Sequence, residues 1–252
     1  MEHFYVWRFN KWKRWLTVAV VALFTATFLW LEWNGEFTVF SNKEPSAMSK
    51  GNANENNIAL TFNISWGEER VHDILKELKE EGVQATFFIS GEWAERHPAI
   101  VEKITENKHE LGMLGYRYKS YLDRELDTVK KDLRKAQEVF GKLGYEDLRL
   151  LRPPNGHFNK EIIETAENMG YNVIHWNVNP NDWKNPGSDT IVDNVMKQTT
   201  NGDIVLLHAS DSVKHTAKAL ETILPGLKNK GFSFVSMTEL INQAHASTEF
   251  VD

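Results

Sequence analysis

The chain has 252 residues, enough for one domain of ordinary size plus a short appendage. Its formal net charge of -6 argues against a nucleic-acid-binding protein. The absence of cysteine excludes disulfides, cysteine nucleophiles and thiolate metal sites.

An uncharged apolar run, 16–31, stands near the N-terminus. Four basic residues precede the run: Arg8, Lys11, Lys13 and Arg14. Four tryptophans lie at its two ends: Trp12, Trp15, Trp30 and Trp33. This pattern predicts a cytoplasmic segment over 1–15 and a single membrane-spanning signal-anchor over 16–33, with the following domain outside the cytoplasm. A cleaved signal peptide is the alternative, although no small-x-small site follows the run.

The next segment, 34–56, is polar and predicts a linker, so the domain is expected over 57–245 with a tail over 246–252. Strand patterns recur at 58–62, 85–89, 109–114, 148–151, 171–176, 203–207 and 232–235. Helical patterns lie between them, at 68–81, 98–107, 123–143, 159–169, 188–200 and 213–230. This alternation predicts an α/β fold with parallel strands and crossover helices, either an open doubly wound sheet or a barrel.

Polar stretches follow several of the predicted strands. TFNISWG (61–67) follows the first, RPPNG (152–156) follows the fourth, NDW (181–183) comes after the fifth, and His208 ends the sixth. The carboxyl ends of parallel strands are where such folds place their chemistry. A histidine that ends a strand can also be purely structural, and tryptophans can belong to the core, which is our expectation for Trp176.

Together these stretches resemble the NodB-homology domain of polysaccharide deacetylases, carbohydrate esterase family 4. The resemblance implies a distorted seven-stranded (β/α) barrel and removal of N-acetyl groups by a metal-bound water. By analogy, position 63 would carry the base, and positions 64, 114 and 118 would carry the metal ligands. Arg152 would orient the base, Asp182 would tune the acid, and His208 would be that acid.

This chain departs from the family at four of those positions, which hold Asn63, Ile64, Leu114 and Tyr118. An asparagine offers hydrogen bonds only, and aliphatic side chains cannot bind a metal. The sequence therefore predicts no metal and no other cofactor. His72 and His109 are not favoured as replacement ligands, because no cluster of three ligands surrounds them. Arg152 lacks its family partner, so we expect a glutamate, Glu68 or Glu69, or the substrate, to pair with it.

The stretches TFNISWG, WAERHP (93–98), GYRYK (115–119) and GDIVLLHASD (202–211) further resemble the sporulation subfamily PdaB. That resemblance implies a role at spore cortex peptidoglycan, or a related N-acetylated glycan, between the forespore membranes or at the cell surface. It indicates no protein partner.

Three hypotheses remain. The favoured one is a degenerate deacetylase homologue that binds peptidoglycan, with the catalytic positions at His208, Asp182, Arg152 and Asn63. Its expected substrate contacts are Trp66, Tyr118, Pro153, Pro154 and Trp183. The alternatives are an active hydrolase that removes N-acetyl groups by a non-standard route, and a membrane-anchored structural partner without glycan contact.

Overall fold

The computed structural model describes residues 11–33 and 45–249. The first range is one helix, α1 (Lys11–Trp33). No helix in the two described ranges combines the length and apolar character needed to cross a membrane, so the span predicted over 16–33 is not supported. Parts of the predicted cytoplasmic segment, linker and tail (1–10, 34–44 and 250–252) lie outside the described residues.

A second compact unit begins at Pro45. Its strands are β1 (Asn57–Ile64), β2 (Thr86–Ile89), β3 (Glu110–Met113), β4 (Leu150–Leu151), β5 (Asn172–Val173), β6 (Ile204–His208) and β7 (Ser233–Phe234). Its helices are α2 (Arg70–Glu80), α3 (Gly91–Arg96), α4 (Pro98–Glu106), α5 (Leu126–Lys142), α6 (Lys160–Asn168), α7 (Ser188–Gln198), α8 (Thr216–Asn229) and α9 (Met237–Glu249). Short 3₁₀ turns lie at Pro154–Gly156 and Asp182–Lys184.

The strands form one parallel sheet in the order β5-β4-β3-β2-β1-β6, and β7 pairs with the start of β1. The prediction of parallel strands with crossover helices is therefore confirmed. The chain beyond β5 returns to β6 through a bridge between Val178 and Val205. The two ends of the strand order thus approach each other, and the sheet is curled rather than open.

The segment just before β1 also belongs to this unit, although its polar composition predicts a linker. Met48 donates its backbone N–H to Val173 (2.8 Å) and accepts from His175 (2.8 Å), and Gly51 donates to Gly202 (2.7 Å). These bonds place the segment along β5 and beside the start of β6. The unit begins ahead of the predicted residue 57 because the pairing uses backbone groups, which composition does not reveal.

Two apolar clusters hold the sheet. The larger lies between the sheet and its helices, and α2 contributes the predicted stripe of Val71, Ile74, Leu75 and Leu78. The smaller cluster lies on the other face of the sheet, where Met237 and Leu240 of α9 belong to it. Further members come from neighbouring strands and the residues that follow them: Ala59, Phe88, Leu114, Leu150 and Ile174. Because side chains alternate along a strand, Thr61 and Asn63 share the face of β1 that carries Ala59.

Candidate functional site

A cleft of about 510 Å³ opens at the carboxyl ends of β1 and β6. It is lined by Asn63, Ser65, Tyr118, Asn155, His157, Trp176, Asn179, Trp183, Leu206, His208, Ser210, Ser212 and Val213. The sequence-predicted positions 63, 118, 183 and 208 therefore come together in one place. None of these described lining residues is an aspartate or a glutamate, so the wall of the cleft consists of neutral polar groups, histidines, aromatic rings and two aliphatic side chains, Leu206 and Val213.

Asp182 and His208 form a closely bonded pair at one side of the cleft. His208 Nδ1 lies 2.8 Å from Asp182 Oδ1, while Asp182 Oδ2 accepts from the His208 backbone N–H (2.8 Å) and from Thr216 Oγ1 (2.9 Å). A carboxylate can only accept, so the proton sits on Nδ1 and leaves Nε2 as the nitrogen available to a ligand. We call Asp182, His208 and Thr216 the Asp182 cluster.

Arg152 lies beneath the opposite side of the cleft and is wholly buried. Its Nη1 donates to Asn63 Oδ1 (2.9 Å), and its Nη2 donates to Thr61 Oγ1 (3.0 Å) and to the His175 carbonyl (3.1 Å). Burial lowers the pKa of the guanidinium to about 9. We call Arg152, Asn63, Thr61 and the His175 carbonyl the Arg152 cluster.

The expected acidic partner of Arg152 is absent from this cluster. Glu68 instead has its Oε2 3.2 Å from His97 Nδ1, and Glu69 is exposed before α2. The expectation that either glutamate pairs with Arg152 is therefore wrong. Both residues follow the turn at Gly67, where the loop leaves the sheet towards α2, and Asp211 accepts their backbone N–H groups at 2.9 Å.

Tyr118 stands next to the Arg152 cluster, in the loop that follows β3. Burial raises the pKa of its phenol, and smaller opposing effects come from the Asn155 backbone, the Asn63 side chain and the charge of Arg152. The phenol is therefore a neutral hydrogen-bond donor at physiological pH. Asp132 of α5 holds the loop by accepting from the backbone of Tyr116 (2.8 Å) and from the Tyr121 hydroxyl (2.8 Å).

The positions that the resemblance assigns to metal ligands do not fit a metal in this chain. Ile64 packs in the cluster between the sheet and the helices, and Leu114 packs in the smaller cluster, both fully buried. Across residues 11–33 and 45–249, no three His, Asp or Glu side chains gather into a candidate metal site. His72 lies on α2 with its Nδ1 3.3 Å from Lys103, and His109 precedes β3 at the far end of the sheet.

The predicted substrate contacts divide into two groups. Tyr118 and Trp183 line the cleft, but Trp66 does not. Pro153 and Pro154 are buried and do not line it either, because they turn the chain below the cleft. Trp176, expected in the core, is half-buried and lines the cleft, and it stacks on His175 with ring centres 3.9 Å apart.

Several residues that build the site escape sequence reasoning. Thr61, Thr216 and the His175 carbonyl bond the charged groups, and Asp132 positions the loop of Tyr118. Thr61 has a signal, since it precedes Asn63 by two residues and so shares its strand face. Asp132 and Thr216 lie on helices far along the chain, and no local pattern distinguishes them.

Comparison with known proteins agrees with this geometry. The family model for polysaccharide deacetylases matches residues 50–174. A peptidoglycan-N-acetylglucosamine deacetylase of Bacillus cereus is 35% identical over 197 residues, covering 76% of this chain and 91% of the relative. The chain therefore belongs to the polysaccharide deacetylase family.

Solved structures give the same result. A family 4 carbohydrate esterase pseudoenzyme from Bacillus anthracis shares 30% identity and a TM-score of 0.74, with 79% of this chain and 70% of that one covered. A mutant of that pseudoenzyme with restored enzymatic activity gives a TM-score of 0.75. PdaA of Bacillus subtilis, a family 4 carbohydrate esterase, shares 28% identity and a TM-score of 0.72, with coverage of 79% and 86%.

Proposed function

We propose that this chain binds peptidoglycan or a related N-acetylated glycan in the cleft without removing acetyl groups by the metal-dependent route. One observation carries the proposal. The cleft keeps the intact Asp182 cluster and two aromatic walls, Trp176 and Trp183, while Asn63 replaces the base and apolar Ile64 and Leu114 occupy metal positions.

The chemistry that remains is incomplete for hydrolysis. Nε2 of His208 is the nitrogen that can exchange a proton with a ligand, and Asp182 orients the ring through Nδ1. Activating a water needs a base, and Asn63 cannot accept a proton at neutral pH. Losing the general base alone costs on the order of 10²–10⁴ in rate, so the site is better suited to binding than to turnover.

The aromatic wall supplies the expected glycan contact. Trp183 is 51% exposed. Lys184 Nζ lies over one face of its ring, 5.0 Å from the ring centre, so we assign the sugar ring to the other face. The relatives include proteins named as peptidoglycan deacetylases, and this supports a peptidoglycan ligand.

The test is a titration of the full-length protein with N-acetylated peptidoglycan strands, in which the change in tryptophan fluorescence reports binding. We expect saturable binding that weakens at least about fivefold in Trp183→Ala, since an aromatic contact that becomes buried on binding is worth about 1–3 kcal/mol. Trp66→Ala is the matched control, because Trp66 is similarly exposed at 63% but lies outside the cleft lining. Equal loss in both variants, or no binding by the native protein, would contradict the proposal.

The finer assignment is to the spore cortex, in line with the sporulation subfamily that TFNISWG and GYRYK resemble. It places the second unit outside the cytoplasm, where peptidoglycan lies. Pelleting of the full-length protein with purified cortex sacculi and with vegetative sacculi tests it. We expect several-fold more protein in the cortex pellet, and equal pelleting would overturn the cortex assignment while leaving glycan binding intact.

A further inference from the structure

The Arg152 cluster holds a buried positive charge without a counter-charge. Within the described ranges, all three contacts of the guanidinium are neutral oxygens, and its Nε has no hydrogen-bond partner. The Phe88 ring, 4.0 Å away, and the Trp176 ring, 5.3 Å away, cover it. Removing a charge from water is costly unless a partner of opposite sign compensates it.

No acidic group of the cleft supplies that partner. Asp182, the acid that bonds the cleft-lining His208, is already satisfied by His208 and Thr216. The described lining residues themselves include no carboxylate. The floor of the cleft therefore has a positive potential in a protein whose net charge is -6.

The orientation of Asn63 adds hydrogen-bond donors to this floor. Arg152 can only donate, so it binds the amide oxygen of Asn63, and the amide nitrogen must point away from it. Asn63 and Tyr118 both line the cleft, and the Tyr118 hydroxyl faces the Asn63 side chain and the Asn155 backbone. An aspartate at position 63 would instead accept the phenolic proton and cancel the charge of Arg152.

From this arrangement we infer that the floor of the cleft binds a carboxylate, with Asn63 Nδ2 and Tyr118 Oη as its donors and buried Arg152 as the source of positive charge. The inference rests on the proposed glycan function and narrows it to N-acetylated sugars that carry a carboxylate. Hydrogen bonds to a charged acceptor in a water-poor site are stronger than those to a neutral carbonyl, which gives the preference its physical basis.

The test compares N-acetylmuramic acid, which carries a carboxylate, with its neutral methyl ester and with N-acetylglucosamine, by calorimetric titration of the full-length protein. We expect the acid to bind about tenfold more tightly than either neutral sugar. Equal affinity for all three would overturn the carboxylate site while leaving glycan binding in place. Failure of all three to bind would overturn both.

Two variants with matched controls assign the effect to the named donors. Asn63→Asp is expected to reduce the preference for the acid below about twofold, whereas Asn172→Asp adds the same charge at the start of β5 and should retain it. Tyr118→Phe should weaken binding of the acid about fivefold. Tyr171→Phe should not, because the Tyr171 hydroxyl has no partner among the described residues. An undiminished preference in Asn63→Asp, with its melting temperature unchanged or raised, would contradict the inference.

Discussion

The two charged clusters beneath the cleft differ in how their charges are satisfied. The Asp182 cluster gives its carboxylate three donors within 2.9 Å, one of them an ionisable ring. In the part of the chain that the structure describes, the Arg152 cluster gives its guanidinium only neutral acceptors and leaves Nε without a partner. Both lie at the carboxyl ends of strands in the same sheet. The Asp182 cluster is therefore self-sufficient, in the sense that its own donors satisfy its carboxylate. The Arg152 cluster contains an amide, Asn63, and no acid.

An amide and a carboxylate at position 63 would differ in charge but not in the hydrogen bond that Arg152 can donate to them. Asn63 preserves the hydrogen bond to Arg152, so the fold and the shape of the cleft survive. It does not preserve the negative charge, so the charge balance of the cleft and its capacity to accept a proton change.

The largest effect is expected from breaking the self-sufficient cluster. Asp182→Ala leaves the His208 ring, a backbone N–H and the Thr216 hydroxyl without their acceptor in a buried site. We expect the free energy of unfolding to fall by about 3–5 kcal/mol. Urea denaturation measures it, with exposed Asp123→Ala as the control expected to change stability by less than about 0.5 kcal/mol. A loss below about 1 kcal/mol would contradict the description of the Asp182 cluster as self-sufficient.

A buried residue outside both clusters, His109, makes the free energy of unfolding depend on pH. Burial lowers the pKa of His109 to about 4, below its ordinary value of 6.5. As the pH falls, the unfolded chain therefore binds the proton at a higher pH than the folded chain does. The contribution of neutral His109 to the free energy of unfolding is complete above pH 6.5 and is lost as the pH falls towards 4.

We expect the native protein to lose about 2 kcal/mol of stability over that interval from this group. Urea midpoints measured across the interval test the expectation. His109→Phe should flatten the dependence, while His72→Phe, on the exposed face of α2, should leave it in place. An unchanged slope in His109→Phe would assign the acid sensitivity to another group.

A smaller effect of opposite sign is expected from completing the Arg152 cluster. Asn63→Asp places a carboxylate where the amide oxygen now lies, 2.9 Å from Nη1. Since the cost of burying Arg152 is already present, we expect stability at neutral pH to rise by about 1–2 kcal/mol. Thermal unfolding compared with Asn172→Asp measures the change. A destabilised Asn63→Asp would mean that Arg152 is already compensated.

The smallest predicted effect comes from the neutral acceptors. Thr61→Val removes a hydroxyl that accepts from Arg152 Nη2 (3.0 Å) and donates to the Val205 carbonyl (2.8 Å). We expect the free energy of unfolding to fall by about 1 kcal/mol, because the His175 carbonyl still accepts a hydrogen bond from Nη2. Thr165→Val on α6 controls for the exchange of a buried threonine. If Thr61→Val lowered the free energy of unfolding as much as Asp182→Ala does, the two clusters would not differ in how strongly they depend on a single member, and the comparison would fail.

Sequence patterns predict much of this arrangement because they depend on local repeats. The alternation of strand and helix residues predicts the parallel sheet, and the polar residues after the strands predict that Asn63, Asp182, Trp183 and His208 meet. The α3 helix, the pairing of Met48 along β5 and the burial of Pro153 and Pro154 are not predicted. These features depend on backbone bonds and contacts between distant segments, which leave no local signature.

The most direct test of the account is acetate release from N-acetylated peptidoglycan strands by the full-length native protein, with added zinc and with a chelator. The account predicts that the strands bind while no acetate appears under either condition, because positions 63, 64, 114 and 118 supply neither a base nor metal ligands. Turnover that zinc supports and the chelator abolishes would contradict it, since the chain would then hold a functional metal site.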